Sequence, residues 1–105
     1  REGHALLIDC RSLEFRLVPL VLGDQRLLIT NSRVPRRLVD SAYNQRRREC
    51  QRGAALLAKA RPGTALRDFD AEDVRGCADL DDDTRKRCRH VVEENARVLS
   101  AEAAL

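Results

Sequence analysis

The spacing of apolar side chains changes once along the chain, near position 40. Before it, apolar residues run in short blocks or alternate with polar ones; after it, they recur at steps of three and four. Ala5-Leu6-Leu7-Ile8 is an unbroken apolar run suited to a strand covered on both faces, followed by the polar connection Asp9-Cys10-Arg11-Ser12. Leu13, Phe15 and Leu17 alternate with Glu14 and Arg16, the period of a strand with one buried and one wet face. Pro19 and Gly23-Asp24 punctuate the chain, and residues 26–31 (Arg-Leu-Leu-Ile-Thr-Asn) read as a third, buried strand.

Beyond position 40, Tyr43, Arg47, Cys50, Ala54, Leu57 and Ala58 trace one helical stripe, with Asp40 or Ser41 as N-cap and Arg61-Pro62-Gly63 as the stop. Gly53 lies inside that helix, where it costs about 1 kcal/mol relative to Ala; a close packing approach explains it better than a break. Asp70 caps a short helix expected to run through about Leu80. A third helix from about Thr84 to the end carries Cys88, Val91, Val92, Asn95, Val98, Leu99 and Glu102 on one stripe, with Asp81, Asp82 and Asp83 at the favourable end of its dipole. Such a stripe asks for another helix. The expected fold class is therefore α+β: antiparallel-type strands in residues 1–39, then three helices in 40–105.

Composition narrows the possibilities. Leu, Ile, Val and Phe make up about a quarter of the 105 residues, above the ~20% below which chains tend to be disordered. A chain of this length builds one modest domain. It contains no Met. A gene product beginning at Arg1 should retain its initiator Met, so the chain is expected to be a segment of a longer protein. No apolar run approaches the ~20 residues of a membrane helix, and the start lacks the pattern of a secretory signal, so no membrane association is expected.

The net charge of +3 is the remainder of 20 basic and 17 acidic side chains, a mixed surface whose carboxylates cancel most of the attraction for nucleic acid. Arg46-Arg47-Arg48 fan around a helix instead of forming a patch, and no nucleic-acid partner is expected. Cys10, Cys50, Cys77 and Cys88 form no C-x-x-C pair and no zinc pattern, and read as free, buried thiols. His90 and Glu94 form an i,i+4 pair with Arg97 nearby, ordinary helix-surface electrostatics without an accompanying nucleophile; His4 has no partner in sequence. Tyr43, the only Tyr, stands at a helix start; on composition alone it is a packing residue with a wet tip. The five Gly are scattered singly and cannot build a phosphate-cradling loop.

Three blocks carry a resemblance. Residues 3–14 (Gly-His-Ala-Leu-Leu-Ile-Asp-Cys-Arg-Ser-Leu-Glu), the strand 28–32 with Ser41-Ala42-Tyr43-Asn44-Gln45-Arg46-Arg47-Arg48-Glu49-Cys50, and Arg89-His90-Val91-Val92-Glu93-Glu94-Asn95-Ala96-Arg97 resemble, in order, galactokinases of the GHMP kinase superfamily. The resemblance implies a two-lobed fold, with residues 1–39 at the strand-rich end of the N-terminal lobe and 40–105 at the helical start of the C-terminal lobe. It further implies a cytoplasmic, monomeric parent enzyme that uses ATP and Mg²⁺ to phosphorylate the anomeric hydroxyl of galactose. The family's phosphate loop, catalytic aspartate and metal ligands fall outside this segment, which alone is expected to be inactive. Only Tyr43 matches a recognised functional position, the tyrosine whose hydroxyl contacts the sugar. A non-catalytic galactose sensor, or a kinase for N-acetylgalactosamine or another sugar, is the alternative.

Overall fold

The computed structural model describes residues 2–33 and 41–105, the side chains of 41 and 42 excepted. Strands β1 (His4–Ile8) and β2 (Phe15–Pro19) form an antiparallel hairpin, and the helices α1 (Ser41–Leu57), α2 (Ala71–Gly76) and α3 (Asp82–Ala104) follow. The architecture is α+β. The chain divides into two compact units, one of residues 1–34 and 99–105, the other of residues 35–98.

In the first unit, the register pairs Leu6 with Leu17 and Ile8 with Phe15 on one face, and Ala5 with Val18 and Leu7 with Arg16 on the other. The connection is a local device. Asp9 Oδ1 accepts the Arg11 backbone N–H at 2.8 Å, the Leu13 N–H reaches the Asp9 carbonyl at 2.8 Å, and Leu13 itself takes a positive φ of 60°. Leu13 thus belongs to the turn and not to β2. The expected burial is also inverted: Leu6, Ile8, Phe15 and Leu17 are exposed, whereas Val18 on the opposite face is buried. The cover on Val18's side comes with the end of α3, where Arg16 and Glu102 ion-pair. A two-stranded sheet with cover on one side cannot bury both faces, so the doubly covered β1 of the sequence reading is corrected too.

The third expected strand does not form. Residues 26–31 have no ladder, and Leu28 and Ile29 are 90% and 94% exposed. A strand requires a partner edge to bond its backbone. Among the described residues neither edge of the hairpin is used by this segment, which leaves the hairpin through a turn with Gly23 at φ +54°.

In the second unit, α1 has the expected length and is followed by a turn over residues 58–60 in which Ala60 N–H bonds the Leu57 carbonyl at 3.0 Å. Asp40 as N-cap lies outside the described residues, as does the side chain of Ser41. The stripe buries later than its pattern suggests: Arg47 is exposed, as is Ala58, and the buried face is Gly53, Ala54 and Leu57. These join Leu66, Phe69, Val74, Leu80, Cys88 and Val92 in one core. Burying a side chain such as Leu57 contributes roughly 2 kcal/mol.

The connection between α1 and α2 holds a 3-10 turn, Leu66–Asp68, whose Asp68 Oδ2 accepts the N–H groups of Thr64 and Ala65 at 2.9 and 3.0 Å. Asp70 caps α2 through Oδ1, which accepts from Glu72 and Asp73 N–H at 2.9 Å each, while the Asp73 carboxylate returns a bond to Asp70 N–H at 2.9 Å. α2 stops at Gly76, short of Leu80. The Arg85 guanidinium takes up the carbonyls at its end, donating to Val74, Cys77 and Leu80 at 2.7, 2.8 and 3.0 Å. Asp81 Oδ1 receives the Thr84 N–H at 2.9 Å at the start of α3. Along α3 burial ends with Val92, and Val98 and Leu99 are exposed.

Candidate functional site

Tyr43 is the third residue of α1 and is 64% exposed. Residues 43–48 are all exposed, so the first turns of α1 stand clear of the core and present Tyr43 to whatever adjoins them. Anchorage begins at Glu49 and Cys50, both half-buried. Glu49 Oε1 accepts from Gln45 Nε2 at 3.0 Å, and Glu49 Oε2 accepts from Arg87 Nε of α3 at 3.1 Å. One turn on, Arg52 Nη2 bonds both the Asp81 carboxylate and Thr84 Oγ1. These bonds fix the approach of α1 to α3 at the level where Gly53 meets Cys88.

The electrostatics follow from those contacts. The Asp81 carboxyl lies below the ordinary carboxylate range because Thr84 donates both its N–H and its hydroxyl to it, with Arg52 adding a nearby positive charge. Burial pushes the Cys50 thiol up, the Glu49 charge adds to this, and Arg87 opposes it. Burial also raises the Cys88 thiol to about 11, and neighbouring Cys50 and Cys77 contribute. A thiol held neutral is a packing group and a poor nucleophile. Cys50 and Cys77 are half-buried and Cys10 is exposed, so of the four thiols expected to be buried only Cys88 fully is; all four are free.

A polar groove of about 430 Å³ runs along Gln45, Arg48, Glu49, Arg52, Asp81 and Asp83, and a second, mostly apolar groove of about 490 Å³ lies over Cys50, Ala54 and Val91. Tyr43 lines neither. His90 is exposed on α3 beside Glu94, whose carboxyl is lowered chiefly by its hydrogen bond to Arg97 (Nε at 2.9 Å) and least by His90. Among the described residues no group of three or more His, Cys, Asp or Glu side chains is arranged to hold a metal ion. The Glu49–Arg87 link was not visible in the sequence as a site feature; the Gln45-to-Glu49 spacing of four signals its intrahelical half, and nothing signals Arg87.

A strand hairpin followed by this succession of helices is shared with a sugar kinase of solved structure. The chain superposes on Lactococcus lactis galactokinase, crystallised in complex with galactose, with a TM-score of 0.84 and 32% identity over 97% of the chain and 27% of that protein. It is also 44% identical over 107 aligned residues to galactokinase of Roseiflexus sp. strain RS-1, a match covering 100% of the chain and 27% of the relative. By sequence and by fold, the chain is similar to one segment of each of these galactokinases. It spans about a quarter of the length of these relatives. No family model matches it. Among the described residues no helix is long and apolar enough to cross a membrane.

Proposed function

We propose that the parent protein is an ATP-dependent galactokinase, transferring the γ-phosphoryl group of ATP to the anomeric hydroxyl of galactose and releasing galactose 1-phosphate. The observation that carries this reading is the 44% identity to a galactokinase along the entire chain, in company with a fold that matches a galactokinase holding galactose. Both relatives are named as kinases, which favours the enzyme over the sensor.

Within that reaction this segment serves as scaffold and supplies one sugar contact, the hydroxyl of Tyr43. Selectivity among sugars depends on polar partners held on rigid elements, because an unmatched hydroxyl leaves a buried polar group unpaired. The exposed first turn of α1 offers a phenol that can donate to and accept from a sugar hydroxyl. ATP and magnesium are the cofactors expected of the parent. The described residues do not fit them: the five Gly are dispersed, and Asp81 and Glu49 are already bound by arginines, so the nucleotide and metal ligands are assigned to other parts of the parent. Bound there, the metal supplies charge neutralisation for a reaction that is mostly positioning. A monomeric, cytoplasmic parent completes the reading, with residues 1–39 in its N-terminal lobe and 40–105 opening its C-terminal lobe.

Galactose-dependent ATP turnover by the full-length protein tests the activity, and its absence would reject it. In the same protein, Tyr43→Phe should raise the galactose KM roughly fivefold, as loss of a ~1 kcal/mol hydrogen bond requires, with the ATP KM unchanged. An unaltered galactose KM would remove Tyr43 from the sugar site.

A further inference from the structure

We propose that Glu49, held by Arg87, is a positioning residue that sets where Tyr43 stands; this rests on the reading of Tyr43 as a sugar contact. Every side chain from 43 to 48 is exposed, so among the described residues no core side chain comes from the start of α1. Among the described side chains of α1, Glu49 is the first that is drawn in against another helix. Its side chain is only 14% exposed, and both carboxylate oxygens are used: Oε2 accepts from Arg87 Nε on α3 at 3.1 Å, and Oε1 accepts from Gln45 Nε2 at 3.0 Å. The second bond stiffens the turn two residues beyond Tyr43, while the first ties that turn to α3.

Tyr43 lies six positions ahead of Glu49, about 9 Å along the helix axis at 1.5 Å per residue. That length acts as a lever: a tilt of about 10° at Glu49 displaces the phenol by roughly 1.5 Å, enough to lose a hydrogen bond to a sugar. Arg52, bonded to Asp81 and Thr84, holds the helix one turn further back, nearer the core residues Ala54 and Leu57 and farther from Tyr43. The Glu49 carboxylate therefore affects galactose binding without touching galactose.

A double-mutant cycle in the full-length protein tests the assignment, with galactose KM, ATP KM and kcat as readouts. Glu49→Ala should raise the galactose KM roughly fivefold and leave the ATP KM within about twofold. Glu49→Gln keeps an oxygen for Arg87 Nε and should stay near the parent value. Arg87→Gln removes the same link from the more exposed side and should reproduce the Glu49→Ala effect, which keeps the test available if Glu49→Ala does not fold. In a Tyr43→Phe background, removing the Glu49–Arg87 link should have no further effect on galactose KM. Equal effects in both backgrounds, or an unchanged galactose KM on breaking the link, would overturn the positioning role while leaving the Tyr43 contact intact. If Tyr43→Phe alone leaves galactose KM unchanged, the sugar-contact reading fails and takes the positioning role with it.

Discussion

Gly53 faces the Cys88 thiol so closely that a β-carbon at position 53 would fall 2.1 Å from Cys88 Sγ. Thr84 Cγ2 would be 3.2 Å away on the next turn of α3. The helix interior thus accepts glycine's propensity penalty of about 1 kcal/mol in exchange for a backbone approach that brings Ala54, Leu57, Cys88 and Val92 into one core. The same device recurs at Gly63, where a β-carbon would lie 2.4 Å from the Phe69 ring.

Gly53→Ala should accordingly destabilise the protein by about 2 kcal/mol, since overpacking outweighs the gain in helix propensity. Gly76→Ala is the matched control. Nothing lies within 4 Å of its added β-carbon, so the change should be neutral or stabilising by up to about 1 kcal/mol. Urea unfolding of the two variants beside the parent checks both signs.

Arg85 should prove to be a structural residue that lysine cannot replace. Its two terminal nitrogens donate to four carbonyls, those of Val74, Arg75, Cys77 and Leu80, a spread only a planar fork can span. Arg85→Lys should cost about 2 kcal/mol, and hydrogen exchange should accelerate across residues 71–80 before it does in α1. Uniform acceleration across both elements would count against this local role.

The Cys88 thiol contributes to how stability changes at alkaline pH. Burial, aided by Cys50 and Cys77, raises it from the ordinary 9.0 to about 11. Unfolded chains release that proton first, so between about pH 9 and 11 the folded state holds the extra proton and stability falls as pH rises. Melting temperatures of the parent and Cys88→Ala should converge over that interval. A thiol reagent at pH 8 should label exposed Cys10 rapidly and Cys88 only on unfolding.

Sequence determined the features whose signals lie within a few residues. The change of period near position 40 announced the helix α1, Asp70 announced the capped start of α2, and an interior glycine at 53 foretold a close approach. Each rests on backbone geometry repeating every two or 3.6 residues, which the order of side chains displays directly. The resemblance that brought Tyr43 forward as a sugar contact was likewise in the residue order.

Tertiary structure decided what depends on partners distant along the chain. Alternation placed Phe15 and Leu17 on one face but could not say that the cover would fall on the other, beside Arg16 and Glu102. Residues 26–31 have the composition of a strand and no ladder, because strand formation requires a free edge in the right place as well as a suitable sequence. Arg85 ends α2 from the following helix, nine residues beyond Gly76, and the pairing of Glu49 with Arg87 spans 38 positions. Such contacts are set by the packing of α1 on α3, and that packing exists only once the core around Gly53 and Cys88 has closed.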